Sequence, residues 1–185
     1  METSQASQLS NLIRQKAAGF KALCSDLDEE TASLAPSGRW SPKEIVSHLC
    51  GPDGIGHIPT IHAFLEKDVP SLEIEIENPF FSERRAGMTF AELLAEFEKE
   101  YGHMADLVAG LSDEQLSRKA HMPFLKNSQL GEYPTLAGWI QIIGDYHLGS
   151  HSDHMREILE TLGAKSQIPI TQASHEIHAD SPSGL

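Results

Sequence analysis

The chain has 185 residues and a formal net charge of −13, set by 27 acidic against 14 basic residues. Such a surface repels phosphate backbones and anionic membranes, and no basic cluster offers a local exception, so neither is expected as a partner. Two cysteines are too few for a disulfide framework, the polar Met-Glu-Thr-Ser-Gln start is unlike a signal peptide, and no apolar run approaches the ~20 residues of a membrane span; one cytoplasmic domain is the expectation.

The first helix is read from Leu9, Leu12, Ile13, Phe20, Leu23, Cys24 and Leu27, which share one face at spacings of three and four. Cys24 and Cys50 are read as small buried hydrophobes. The second helix announces its start: Ser41 as N-cap, Pro42 at N1 and Glu44 at N3 make a capping box, with Trp40 and Ile45 placed as a hydrophobic staple. Val46, His48 and Leu49 follow, then Gly51-Pro52-Asp53-Gly54, which should kink or interrupt the helix before Ile58, Ile61, Phe64 and Leu65 resume the period. From 70 to 88 the chain has no helical period. Leu72, Ile74 and Ile76 alternate with Glu73, Glu75 and Glu77 as in a strand, but no partner strand exists, so this is read as an extended crossover lying on the bundle. A connection of that length lets helices two and three run parallel.

Thr89 and Glu92 form a second capping box, opening a third helix through Phe90, Leu93, Leu94, Phe97, Tyr101, Met104, Val108 and Leu111. A brief helix over 112–118 follows. The fourth helix opens near Thr135 and runs to about Leu162, with Gly163 as its stop. These elements predict an all-α four-helix bundle over residues 1–166 and a flexible or extended tail over 167–185.

The fourth helix carries the chemistry. Its apolar stripe starts at Leu136, Trp139, Ile140 and Ile143 and ends at Ile158, Leu159 and Leu162. The positions that continue it at ~100° per residue are His147, His151 and His154. Burying unpartnered polar nitrogens costs about 1–3 kcal/mol each, so a row of three demands a use for the lone pairs. His147 and His151, at i and i+4, lie ~6 Å apart at Cβ and can reach one cation at ~2.1 Å. His48, in phase with Ile45 and Leu49, is the best third ligand from a neighbouring helix about 8–10 Å away. His154 is assigned to the second shell or the mouth of the site.

Other residues receive plainer readings. Glu44 is explained by its cap. His57, His62, His103 and His121 are surface or packing residues, and Arg84 and Arg85 are a solvated pair rather than anion binders. Asp145 and Asp153 point ~200° away from the ligand face, so no general base is identified.

The segments Trp40-Ser41-Pro42-Lys43-Glu44-Ile45-Val46-Ser47-His48-Leu49 and Thr135-Leu136 through His147-x3-His151-x2-His154 together resemble the DinB-like superfamily, whose members include mycothiol-dependent maleylpyruvate isomerase. The resemblance covers roughly residues 5–165. It implies an up-down-down-up bundle and a three-ligand site mapping onto His48, His147 and His151. It also implies zinc or nickel as the usual metal and, in some members, a low-molecular-weight thiol as co-substrate.

Three neutral imidazoles leave a divalent cation its full charge and an open position, the pattern of a catalytic site. The expected function is a metal-dependent hydrolase or a thiol-dependent S-transferase or isomerase acting on a small molecule. The alternatives are a non-enzymatic small-molecule- or metal-binding bundle in stress response and a homodimer whose metal staples the helices.

Overall fold

The computed structural model describes residues 3–163, so the tail expected over 167–185 lies outside the described residues. Helix α1 (Gln5–Cys24) starts on an N-cap at Ser4, whose hydroxyl accepts from the Ser7 amide. It buries Leu9, Ile13, Phe20 and Leu23 along the face that the three–four spacing predicts. Its principal neighbour is α6 (Phe90–Ala109), which opens on the expected Thr89/Glu92 capping box. Phe20 and Phe97 meet at 5.1 Å between ring centroids, and Ser10 donates to the Ala105 carbonyl at 2.8 Å. Each such fully buried apolar side chain contributes about 1.5–3 kcal/mol over its exposed state. A five-residue helix after α1, α2 (Glu29–Ser33), has no counterpart in the sequence reading.

The second helical arm is interrupted, not merely bent. α3 (Pro42–Leu49) begins with the predicted Ser41/Glu44 box, and α4 (Ile58–Glu66) resumes after the glycine-rich loop. Gly56 takes φ +66° there, and a Cβ on it would lie 2.0 Å from Glu100 Oε1, the same oxygen that accepts from the His57 amide at 2.8 Å. Only glycine lets the loop settle on α6 at that point.

The crossover contains α5 (Glu83–Ala86) but no strand. Its alternation instead lays a strap on the bundle: Leu72 and Ile74 pack on the core while Glu73, Glu75 and Glu77 are exposed. Ile76 departs from the pattern at 59% exposed. The strap is anchored by an isolated bridge, Leu72 N–H donating to the His121 carbonyl and His121 N–H to the Pro70 carbonyl, both at 2.8 Å. After α7 (Asp113–Leu116) and a 3-10 turn at Pro123–Leu125, the last arm begins.

That arm is continuous from 136 to 161 but not uniform. α8 (Leu136–Gln141), capped by Thr135, passes into a π-helical segment, Ile142–His147, and then into α9 (Leu148–Thr161). The wider π turn inserts an extra residue into the phase. A Cβ on Gly144 would lie 3.0 Å from Ile13 Cγ1, so the small residue lets this turn approach α1. The result corrects the predicted stripe: the buried line runs through Ile143, Gly144, Leu148, Met155, Ile158 and Leu159. His147, His151 and His154 flank it, half-buried.

Candidate metal centre

Three imidazoles from two arms of the bundle converge. His48 is buried near the end of α3, while His147 closes the π segment and His151 sits one turn on in α9. Their ring centroids lie 4.9 Å (His48–His147), 4.6 Å (His48–His151) and 4.7 Å (His147–His151) apart. One nitrogen from each falls within 4.8 Å of the others.

His48 has its tautomer fixed. Nδ1–H donates to the Asn78 carbonyl at 2.7 Å, which leaves Nε2 as a lone pair facing His147 Nε2 at 2.9 Å. Asn78 belongs to a tight turn whose next members hold it: the Phe80 amide donates to Asn78 Oδ1 at 2.7 Å, and Phe80 takes φ +48°. A non-glycine residue in that region costs about 1–3 kcal/mol and persists only where surrounding contacts enforce it. Here the Phe80 carbonyl accepts from the Ser47 hydroxyl at 3.0 Å, and the Phe80 ring stacks on His48 at 6.1 Å. The second wall is Trp40, 5.0 Å from the His48 ring and parallel to His151 at 6.2 Å. His154 lies 6.0 Å from His151 and against Trp40, outside the three-nitrogen cluster.

Burial holds the rings neutral. It pushes His147 down to about 2 and His151 to about 4, each helped by neighbouring histidines, and it lowers His48 against the opposing pull of the Asn78 carbonyl. The Nδ1 atoms of His147 and His151 are buried with no hydrogen-bond partner. A divalent cation fits this donor set. Neutral lone pairs are ready without proton release, and the 2.9 Å between two of the nitrogens opens by only about 0.5 Å to reach the ~3.4 Å spanned by two 2.1 Å bonds at the tetrahedral angle.

Arg84 and Arg85 are not the solvated pair that their sequence suggests. The Arg85 side chain is 2% exposed. Its Nη1 donates to the Ser47 carbonyl at 3.0 Å and to the Gly51 carbonyl at 2.7 Å, while Nε and Nη2 bind Glu96. It thereby caps the carbonyls released where α3 stops, immediately beyond His48. Arg84, half-exposed, bridges Asp53 and Glu96. Asp145 pairs with Lys16 at 2.6 Å and Asp153 with Arg156, so neither serves the cluster.

The cluster opens into a cleft of about 1380 Å³, walled by the strap, the Phe124–Leu130 loop and the π segment. His57, read from sequence as a surface or packing residue, borders it. Its Nε2–H donates to the Leu49 carbonyl at 2.8 Å, leaving Nδ1 as the acceptor, and burial lowers its pKa. No residue spacing could have marked it. Both cysteines are buried with thiols pushed up to about 12, so neither is a reactive nucleophile.

A sequence model described as the DinB superfamily matches residues 12–155. No curated protein matches the chain. Among solved structures, YfiT from Bacillus subtilis, described as "a probable metal-dependent hydrolase with an unusual four-helix bundle topology", is similar in fold with a TM-score of 0.67 at 19% identity, over 89% of this chain and 91% of that one.

Proposed function

The chain belongs to the DinB superfamily, and from that premise we propose that it is a metal-dependent hydrolase of a small molecule, with His48, His147 and His151 holding one divalent cation, zinc or nickel. The observation that carries this reading is the convergence of three neutral imidazoles, one nitrogen from each within 4.8 Å of the others, at the floor of an accessible cleft. When bound, the ion would supply a Lewis acid that makes an oxygen ligand more acidic and polarises a carbonyl or phosphoryl group.

The protein's own groups do the rest. The Asn78 carbonyl keeps the His48 Nε2 lone pair turned inward, as a second-shell acceptor should. Phe80 and Trp40 shield the imidazoles from bulk water on two sides. His57, held neutral by burial with its Nε2–H on the Leu49 carbonyl, borders the same cleft. The description of YfiT as "a probable metal-dependent hydrolase" supports hydrolysis over thiol transfer.

Elemental analysis of protein purified without metal-chelate chromatography tests the reading against a His147→Ala, His151→Ala double variant. About one equivalent of metal is expected in the wild type and a near-complete loss in the variant. Equally low metal in both ends the proposal. A melt with chelator separates an enzyme from a metal-stapled bundle: the buried apolar cluster spans both long arms without the imidazoles, so the stripped protein is expected to stay folded.

A further inference from the structure

Exposed apolar surface is gathered at one place on the molecule. Ile55 and Ile76 (59% each), Phe124 (37%), Leu130 (38%) and Tyr146 (75%) all border the cleft that holds the three imidazoles. Of the large exposed apolar residues among the described residues, just Leu34, Val69 and Tyr133 lie elsewhere. Scattered single residues of this kind are ordinary, whereas five around one opening mark a surface meant to be covered. His48, His147 and His151 line the same cleft.

Charge on the lining is one-sided. Glu73, Glu75 and Glu77 face the opening from the strap, and none of them has a cationic partner among the described residues. No Lys or Arg of the described residues lines the cleft. Arg84 and Arg85 are held by Asp53 and Glu96, and Lys16 is held by Asp145. On the strap side of the cleft, away from the three imidazoles and any cation they hold, a carboxylate or phosphate would therefore meet three negative charges and no cationic side chain.

We infer that the cleft takes a ligand that joins a bulky apolar group to a positive charge, the apolar part lying on the Ile55, Ile76, Phe124 and Tyr146 surface and the cation on the glutamates of the strap. This rests on the cleft being the substrate site proposed above, and it names the class of substrate that site accepts. A volume of about 1380 Å³ exceeds the ~300–1,000 Å³ of ordinary ligand sites, so size sets no barrier to such a molecule.

The test uses three probes that share a phenylalkyl tail and differ in head-group charge: trimethyl(4-phenylbutyl)ammonium, 4-phenylbutan-1-ol and 4-phenylbutanoate, titrated calorimetrically into zinc-loaded and chelator-stripped protein. A quaternary ammonium cannot ligate a metal, so the stripped protein reads charge selectivity whether or not the metal proposal survives. The cation should bind the stripped protein at least about tenfold tighter than the carboxylate. The ratio should fall toward one in a Glu73→Gln, Glu75→Gln, Glu77→Gln variant, whose changes are all at exposed positions. Equal or reversed preference in the stripped wild type, an unchanged ratio in the variant, or no binding by any of the probes overturns the inference.

Discussion

Arg84 and Arg85 are adjacent and chemically identical, yet replacing each with Met should have very different consequences. The Arg85 guanidinium is buried and makes six hydrogen bonds: to the Ser47 and Gly51 carbonyls at 3.0 and 2.7 Å, to Glu96 at 3.0 and 2.8 Å, and to the Ser47 hydroxyl and the Phe80 carbonyl at 3.2 and 3.3 Å. Its removal strips the Ser47 and Gly51 carbonyls of their charged donor, at about 1–3 kcal/mol for each one left unsatisfied, while the Phe80 carbonyl keeps the Ser47 hydroxyl. It also breaks a buried ion pair, although Glu96 keeps Arg84 as a partner. A net loss of about 3–5 kcal/mol follows. At roughly 2–4 °C per kcal/mol for a domain of this size, the melting temperature should fall by about 6–20 °C. The Arg84 side chain is 51% exposed, and its ion pairs are worth no more than about 1 kcal/mol. Urea unfolding of both variants, stripped of metal, measures the difference directly. Because Arg85 closes the end of α3 just after His48, the folded Arg85→Met protein should also bind zinc at least about tenfold more weakly. Equal losses in the two variants, or an Arg85→Met cost below about 1 kcal/mol, would refute the assignment of this guanidinium as the cap of the break.

Two further outcomes follow from the same geometry. Because His147 and His151 titrate in the fold at about 2 and about 4, below the ~6.5 of an unfolded chain, the unfolded state binds more protons at mildly acid pH. Their contribution to stability is complete above ~6.5 and is lost as pH falls below it, by about 1–3 kcal/mol between pH 7.5 and 5.5 in metal-free protein; a urea midpoint that does not move over that range contradicts it. Gly144→Ala places a Cβ 3.0 Å from Ile13 Cγ1, so a cost of about 1–3 kcal/mol is expected together with weaker metal binding, since the π turn sets the direction of His147; a variant as stable as wild type with unchanged zinc affinity would show that this contact does not position the ring.

Much of the fold was legible because it is written locally. The boxes at Ser41/Glu44, Thr89/Glu92 and Ser112/Gln115 each name a helix start within four residues, and the three–four spacing in α1 and α6 names the buried face. That His48, His147 and His151 would be neighbours was legible for the same reason: each was read onto an apolar stripe, and stripes on packed helices face one another, although the structure sets His147 and His151 at the edge of theirs. The burial of Arg85 was not, because its partners Ser47 and Gly51 are 38 and 34 residues away and are backbone carbonyls, which carry no sequence signature. Trp40 was read as a staple on its own helix, and nothing local showed that its ring would lie over His151.

The misread stripe in the last arm shows how the site is built. A regular helix would have carried His147, His151 and His154 into the core in place of apolar residues; the π turn moves Leu148 and Met155 into that line and swings the imidazoles to its edge. The break after α3 and the left-handed turn at Phe80 do comparable work on the opposite wall: the first ends the helix just past His48 on the buried Arg85, and the second delivers the Asn78 carbonyl to its ring. Each of the three is a departure from regular backbone, and each adjoins one of the three clustered imidazoles or a group that holds it. The core is made by periodic sequence, while the site is made where the period fails, which is why its ring positions answer to Gly144, Arg85 and Phe80 as much as to the histidines themselves.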